Sequence, residues 1–193
     1  MARVREFDTE AALKAAMSAF RHKGYEGTSV QDLVDATGIG RGSLYAAFGS
    51  KEGLYLAVMD RYREQYALPL IELLGSGAPA RELVRSMLLG LVDEIVHDDC
   101  TQSCLIVSAT TERLPHDPEV AGRVRDTTAS LEDALTEVIG RAQASGEVTS
   151  ARDARGLARF LLTTIHGLRI MGAINTDRRY LMSAVEVALG CLD

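Results

Sequence analysis

Between residues 28 and 51 the chain carries hydroxyls, an arginine and a lysine, side chains able to donate hydrogen bonds to an anion. Thr28 and Ser29 are adjacent, Arg41-Gly42-Ser43 follow the stretch Thr37-Gly38-Ile39-Gly40, and Tyr45 and Lys51 complete the set. A guanidinium can make a bidentate contact to a guanine edge. Hydroxyls and the unpaired N–H groups of a helix start can hold a phosphate, which fixes position without reading sequence. Each residue also has a plainer role: Arg41 facing solvent, Tyr45 packing within its helix, Gly42 merely opening one.

A second group has other chemistry. His97, Cys100, Cys104 and His116 combine imidazole and thiol, the donors that suit zinc or copper, and Cys100 with Cys104 would suit a thiol switch. Asp98, Asp99 and Thr101 argue for a loop at the first two of these, and nothing in the sequence brings His116 near. With Cys191 the cysteines number three, which is no disulfide framework, and free thiols in a reducing compartment are the ordinary reading. The sequence has no P-loop, G-x-S-x-G elbow, H-E-x-x-H or glycine-rich dinucleotide loop. The expectation is therefore no enzyme, no cofactor and no resident metal. An all-helical enzyme or a scaffold using the body alone is the contending class, and it would have no use for an exposed short helix within 41–48.

The chain has 193 residues and is 47% apolar and 25% charged, a globular composition large enough to bury a core. Its start has no apolar stretch of the signal-peptide kind, and no uninterrupted apolar run is long enough to span a bilayer. A cytoplasmic protein without a membrane partner is expected. The net charge of −6 argues against a simple basic nucleic-acid binder. Residues 1–51, however, carry seven Lys or Arg against six Asp or Glu, including every lysine (Lys14, Lys23 and Lys51), so the acidity belongs to the remainder. Arg3 and Arg5 precede the first helix as a short basic arm or a solvated tail.

The elements that must position these groups read as helices throughout. Leu13, Ala16, Met17 and Phe20 recur on one face of a helix over 9–23, capped by Asp8 or Thr9 and stopped by Gly24. Thr28 as N-cap with Gln31 three residues on makes a capping box for a second helix, which ends near Gly38. It spans about eight residues, too short to be stable alone in water. Val30, Leu33 and Val34 must bury it. A third helix lies within 41–48, and Ser50 caps a fourth running to about 67. Further helices are expected near 68–74, 80–97, 103–112, 117–145, 153–174 and 177–191. The 157–174 helix is apolar on nearly all sides and is expected to be buried all round, with Gly167, Gly172 and Ala173 permitting a close neighbour. It and the last helix together suggest burial against a second copy.

A short capped helix, a tight glycine turn and a second short helix have the architecture of a helix-turn-helix. The run Gly27-Thr28-Ser29-Val30-Gln31-Asp32-Leu33-Val34-Asp35-Ala36-Thr37-Gly38-Ile39-Gly40-Arg41-Gly42-Ser43-Leu44-Tyr45, with Phe48 and Ser50-Lys51 after it, resembles the DNA-binding domain of the TetR family of transcriptional regulators. The resemblance covers roughly residues 10–60. It implies an all-α fold with an N-terminal three-helix helix-turn-helix DNA-binding domain (1–52) and a larger helical ligand-binding and dimerisation domain (53–193). It also implies a homodimer on a palindromic operator in double-stranded DNA, with repression relieved by a small-molecule effector; an activator, or a metal- or thiol-responsive repressor using Cys100 and Cys104, are the alternatives. Thr28, Ser29, Arg41, Gly42, Ser43, Tyr45 and Lys51 are then the DNA-binding candidates, Lys51 matching a backbone-contacting lysine of the family. Ala46-Ala47 depart from the bulkier residues frequent there, leaving methyl contacts to thymine. Met87, Leu91, His97, Cys104, Phe160 and His166 are the ligand-binding candidates, with Cys100, Thr110, His116 and Met171 behind them. Ser103-Cys104-Leu105 looks like the Gly-Cys-Leu segment of one TetR subgroup, in which the cysteine is structural.

Overall fold

A computed structural model describes residues 7–97 and 103–193. Arg3, Arg5 and Cys100 lie outside the described residues. Every regular element among the described residues is helical: α1 Thr9–Gly27, α2 Val30–Thr37, α3 Arg41–Phe48, α4 Lys51–Tyr62, α5 Leu68–Leu74, α6 Ala80–His97, α7 Leu105–Glu112, α8 Pro118–Ser145, α9 Ala154–Ile174 and α10 Arg178–Leu189. A π-helical turn, Arg63–Ala67, follows α4, and a 3-10 turn, Gly190–Leu192, follows α10. The chain forms two compact units, residues 1–65 with 102–125, and residues 66–101 with 126–193. α8 contributes to both.

In the first unit the sequence signals operate locally. Asp8 caps α1 by accepting from the Ala11 N–H at 3.1 Å. Gly24 breaks the helical path at φ +70°, so the residues up to Gly27 form a separate turn. Only glycine fits there twice over: the backbone is left-handed, and an added Cβ would lie 2.2 Å from a Glu112 carboxylate oxygen. Phe20 is fully buried, and Leu33, Leu44, Leu54 and Tyr55 close the small core around it. α7 lies along α1 and is tied to it at both ends. At its start, Ser103 N and Oγ donate to Arg21 O at 2.8 and 2.9 Å. At its end, Glu26 N donates to Glu112 Oε2 at 3.1 Å.

The second unit packs α5, α6, α9, α10 and the rest of α8 around Leu88, Val92, Leu135, Ile139, Leu161 and Val185, all buried. Gly172 lets α9 pass close to α6, because an added Cβ would meet Ile95 at 2.5 Å. α9 is long and apolar enough to cross a membrane by length and composition alone. One face of it is this unit's core, with Leu157, Ala158, Leu161, Leu162 and Leu168 buried. The expectation that α9 is buried all round is corrected: Phe160, Met171 and Ile174 are 44%, 38% and 73% exposed. Core contacts consume only one face of α9, and among the described residues nothing covers the other apolar face.

Candidate nucleic-acid interface

α2 starts one residue later than its sequence signal. Ser29 is the N-cap: its hydroxyl accepts from Asp32 N at 3.1 Å, and its own N–H donates to Asp32 Oδ2 at 2.8 Å. The reciprocal box is thus Ser29 with Asp32, not Thr28 with Gln31. Lys23 Nζ also donates to Asp32 at 2.5 Å. The Lys23 and Ser29 hydrogen bonds hold the Asp32 carboxyl far below the usual carboxylate range. Thr28 is fully buried, and its hydroxyl donates to Gly24 O at 2.6 Å. It therefore neither caps α2 nor offers a hydroxyl to a phosphate. A threonine beside a serine is ambiguous in sequence, and the bend at Gly24 turned Thr28 inward.

Gly38 ends α2 in the left-handed conformation at φ +69°, donating to Val34 O at 2.9 Å. After Ile39 and Gly40 the chain enters α3. Leu44 is buried and fixes α3 to the core, whereas Arg41, Gly42, Tyr45, Ala46 and Ala47 are exposed and Ser43 is half-buried. No side chain caps α3. Ser43 N and Leu44 N both reach Gly40 O, at 2.9 and 3.0 Å. The N–H groups of Arg41 and Gly42 precede the first bonded turn and point out of the helix end. Around the Cβ positions of Gly40 and Gly42 nothing lies within 4 Å, and neither glycine has positive φ. The fold itself makes no demand for glycine at either place. The result is a bare helix start carrying one guanidinium and a positive dipole end, a shape and charge that suit a polyanion.

Lys51 opens α4, behind its N-cap Ser50, whose hydroxyl accepts from Gly53 N at 3.0 Å. Its Nζ lies 4.1 Å from the centre of the Tyr25 ring, and the Arg113 guanidinium carbon lies 4.3 Å from the same centre. Tyr25 in turn meets Tyr55 edge-on at 4.8 Å. Partial burial pushes the Lys51 ammonium below its ordinary pKa, reinforced by Arg113 and opposed by Glu26 and Glu112. Tyr25 and Arg113 were not legible as site residues, because they come from the end of α1 and the corner after α7. Their proximity exists only once those elements are packed.

The family model of bacterial regulatory proteins of the tetR family matches residues 12–58, and that of the BetI-type transcriptional repressor C-terminal region matches residues 80–192. The chain belongs to the TetR family. The fold and the helix-turn-helix are those of that family, so this protein is a DNA-binding transcriptional regulator rather than a helical enzyme or a scaffold. It is 34% identical to the uncharacterized HTH-type transcriptional regulator YezE of Bacillus subtilis (strain 168), over all of both chains. It is 31% identical to the HTH-type transcriptional repressor ComR of Escherichia coli (strain K12), over 97% of this chain and 90% of that one. Among solved structures, a cysteine mutant of the TetR-family regulator CifR complexed with a 26 bp double-strand operator DNA superposes with a TM-score of 0.87 and 32% identity. The match covers 99% of this chain and 100% of that one.

The ligand-binding candidates of this TetR-family chain do not gather at one place among the described residues. Met87 and Leu91 are core residues of the second unit. His97 is exposed and its Nδ1 lies 2.8 Å from Asp93 O. Phe160 is on the outer face of α9, where with Leu157, Val187 and Cys191 it lines a groove of about 690 Å³. Cys104 belongs to the first unit, buried, with its Sγ 3.5 Å from the Tyr62 hydroxyl. His166 is half-buried with its Nδ1 unpartnered among the described residues, and burial, aided by Arg169, lowers its pKa. Among the described residues no group of three or more His, Cys, Asp or Glu side chains is placed to hold a metal; Cys100, central to the metal and thiol alternatives, lies outside them.

Proposed function

We propose that this regulator is a repressor that binds a palindromic operator as a homodimer and is released by a small-molecule effector. The observation that carries the DNA contact is the uncapped, glycine-flanked start of α3 with Arg41 exposed on it. Arg41 reads a base edge, and Gly42 allows the backbone to approach the groove. Ser43, Tyr45 and the α2 end at Ser29 touch the phosphates, and Lys51 adds a charge to the same strand. Thr28 drops out of this set because its hydroxyl is spent inside the protein. Residues 1–52 do the DNA binding, and residues 53–193 hold the effector and the dimer interface. DNA as partner places the regulator in the cytoplasm.

Repression is supported by the repressor ComR and by the BetI-type repressor region that matches residues 80–192. Operator binding is supported by CifR, whose solved complex holds operator DNA. Dimerisation is supported by the uncovered apolar face of α9 and by Val187 of α10, which is 75% exposed. With a net charge of −6, affinity has to come from a few placed contacts doubled by symmetry, not from bulk charge.

Selection of random duplexes by the purified full chain tests the reading. An inverted repeat bound by two protomers is expected, along with repression of a reporter placed behind it and derepression by an effector. No enrichment over random DNA at moderate salt refutes the DNA contact, and activation of the reporter refutes repression.

A further inference from the structure

Lysine is a flexible carrier of charge, and holding one ammonium at a fixed point costs rotamer freedom. In this chain Lys51 is not left to swing. Its Nζ sits 4.1 Å from the centre of the Tyr25 ring, within the range where a ring face attracts a cation. The ring is itself immobilised: Phe20 stacks on it at 6.1 Å, Tyr55 meets it edge-on at 4.8 Å, and the Arg113 guanidinium lies 4.3 Å from its centre. Arg113 is held by Asp117 at 2.8 Å, with Glu26 and Glu52 each at 3.4 Å. Two cations sharing one aromatic ring repel each other, so the surrounding carboxylates are what keep both in place.

The geometry points to Tyr25 as a positioning residue that holds the Lys51 ammonium ready for the DNA backbone, with Arg113 fixing the ring. The inference rests on the reading that Lys51 contacts a phosphate. It adds that the corner after α7, which has no DNA contact of its own in that reading, sets the strength of the contact through an aromatic ring. A ring removed from beneath the lysine leaves its charge intact but its position free.

The test uses the full chain and a random-sequence duplex, so no operator has to be known first. Binding is measured over a salt series for the wild type, Lys51→Gln, Tyr25→Phe, Tyr25→Leu and the double variant Tyr25→Leu/Lys51→Gln. Lys51→Gln is expected to weaken binding and flatten the slope of log affinity against log salt by about 0.9 per lysine. Tyr25→Phe keeps the ring and should bind as the wild type. Tyr25→Leu should weaken binding by about 2- to 5-fold per protomer, and by nothing further when Lys51 is already Gln. In parallel, the Lys51 ε-methylene protons should resonate upfield, under the ring current of Tyr25, in the wild type and in Tyr25→Phe but not in Tyr25→Leu.

Equal weakening by Tyr25→Leu with and without Lys51 overturns the positioning role in favour of a purely structural one. So does a Tyr25→Leu protein that binds as the wild type while Lys51→Gln does not. A Lys51→Gln protein with unchanged affinity and slope fails the phosphate reading itself, and the positioning role with it. If Tyr25→Leu does not fold, the ring-current shift in the wild type and Tyr25→Phe decides: its absence overturns the proposal.

Discussion

Arg113 Nη2 donates a 2.8 Å hydrogen bond to Asp117 Oδ2, closing the corner between α7 and α8 on a carboxylate that is 4% exposed. The other oxygen, Oδ1, accepts from Glu119 N and Val120 N at 3.0 and 3.1 Å, so Asp117 also caps α8. Both oxygens of the carboxylate are thus engaged. Removing Arg113 leaves a buried charge short of its counter-ion. Arg113→Met should cost roughly 3 kcal/mol, near the low end for breaking a buried pair because Arg113 keeps some exposure. Urea unfolding at neutral pH measures it.

The same pair fixes an acid response. Burial pushes the Asp117 carboxyl up, but hydrogen bonds from Val120 N and Arg113 outweigh it and hold the group below its ordinary value. A carboxyl with its folded pKa below its unfolded one stabilises the fold above the unfolded value, 3.8, and loses that stabilisation as pH falls through the folded value. Arg113→Met should therefore shift the acid unfolding midpoint upward. An unchanged midpoint would mean that the pair contributes nothing to acid resistance.

Arg41→Ala should weaken operator binding by ~1–3 kcal/mol if the guanidinium grips a base bidentately, with little effect on non-operator DNA. Equal losses on both duplexes would reassign Arg41 to a phosphate. Its exposure at the start of α3 means that thermal stability should hardly change. A competition titration with both duplexes separates these outcomes.

Phe160, Met171 and Ile174 fall on one stripe of α9, with Gly167 between them. Met171→Glu places a charge on that stripe at a side chain that is 38% exposed. Sedimentation of the variant at micromolar concentration should show a monomer, and its operator affinity should fall because the doubled contacts are lost. A variant that stays dimeric would move the interface elsewhere.

His166 supplies a second test at milder pH. Burial, with Arg169 adding like-charge repulsion, lowers its pKa below the ordinary 6.5. The unfolded chain then binds the proton more readily than the folded one, so stability rises with pH in this range. The penalty sets in as pH falls below 6.5 and is complete once pH is below the folded value. His166→Gln should lessen the drop in melting temperature between pH 8 and pH 5, and a drop equal to that of the wild type would assign the effect to other groups.

Helix boundaries were legible in the sequence where one residue type ends or begins the helix by itself, and not where Thr28 and Ser29 compete for the same cap. Asp8, Gly38 and Ser50 end or begin helices through contacts to backbone three or four residues away, and Gly24 breaks one by its own left-handed backbone, so their types announce the boundaries. The helix-turn-helix was specified in that way, by capping and a glycine turn, despite a head with almost no net charge. Tertiary structure decided what depends on direction and on distant partners. Chain direction rather than residue type turned Thr28 inward and gave the cap to Ser29, because the bend at Gly24 presents its carbonyl, four residues back, to the Thr28 hydroxyl. Tertiary structure brought Tyr25, Lys51 and Arg113 together from three separate elements, a meeting that no spacing encodes. And it divided the apolar surface of α9 between a core and an uncovered face, because hydrophobicity in a sequence says that a side chain will be buried but not against what.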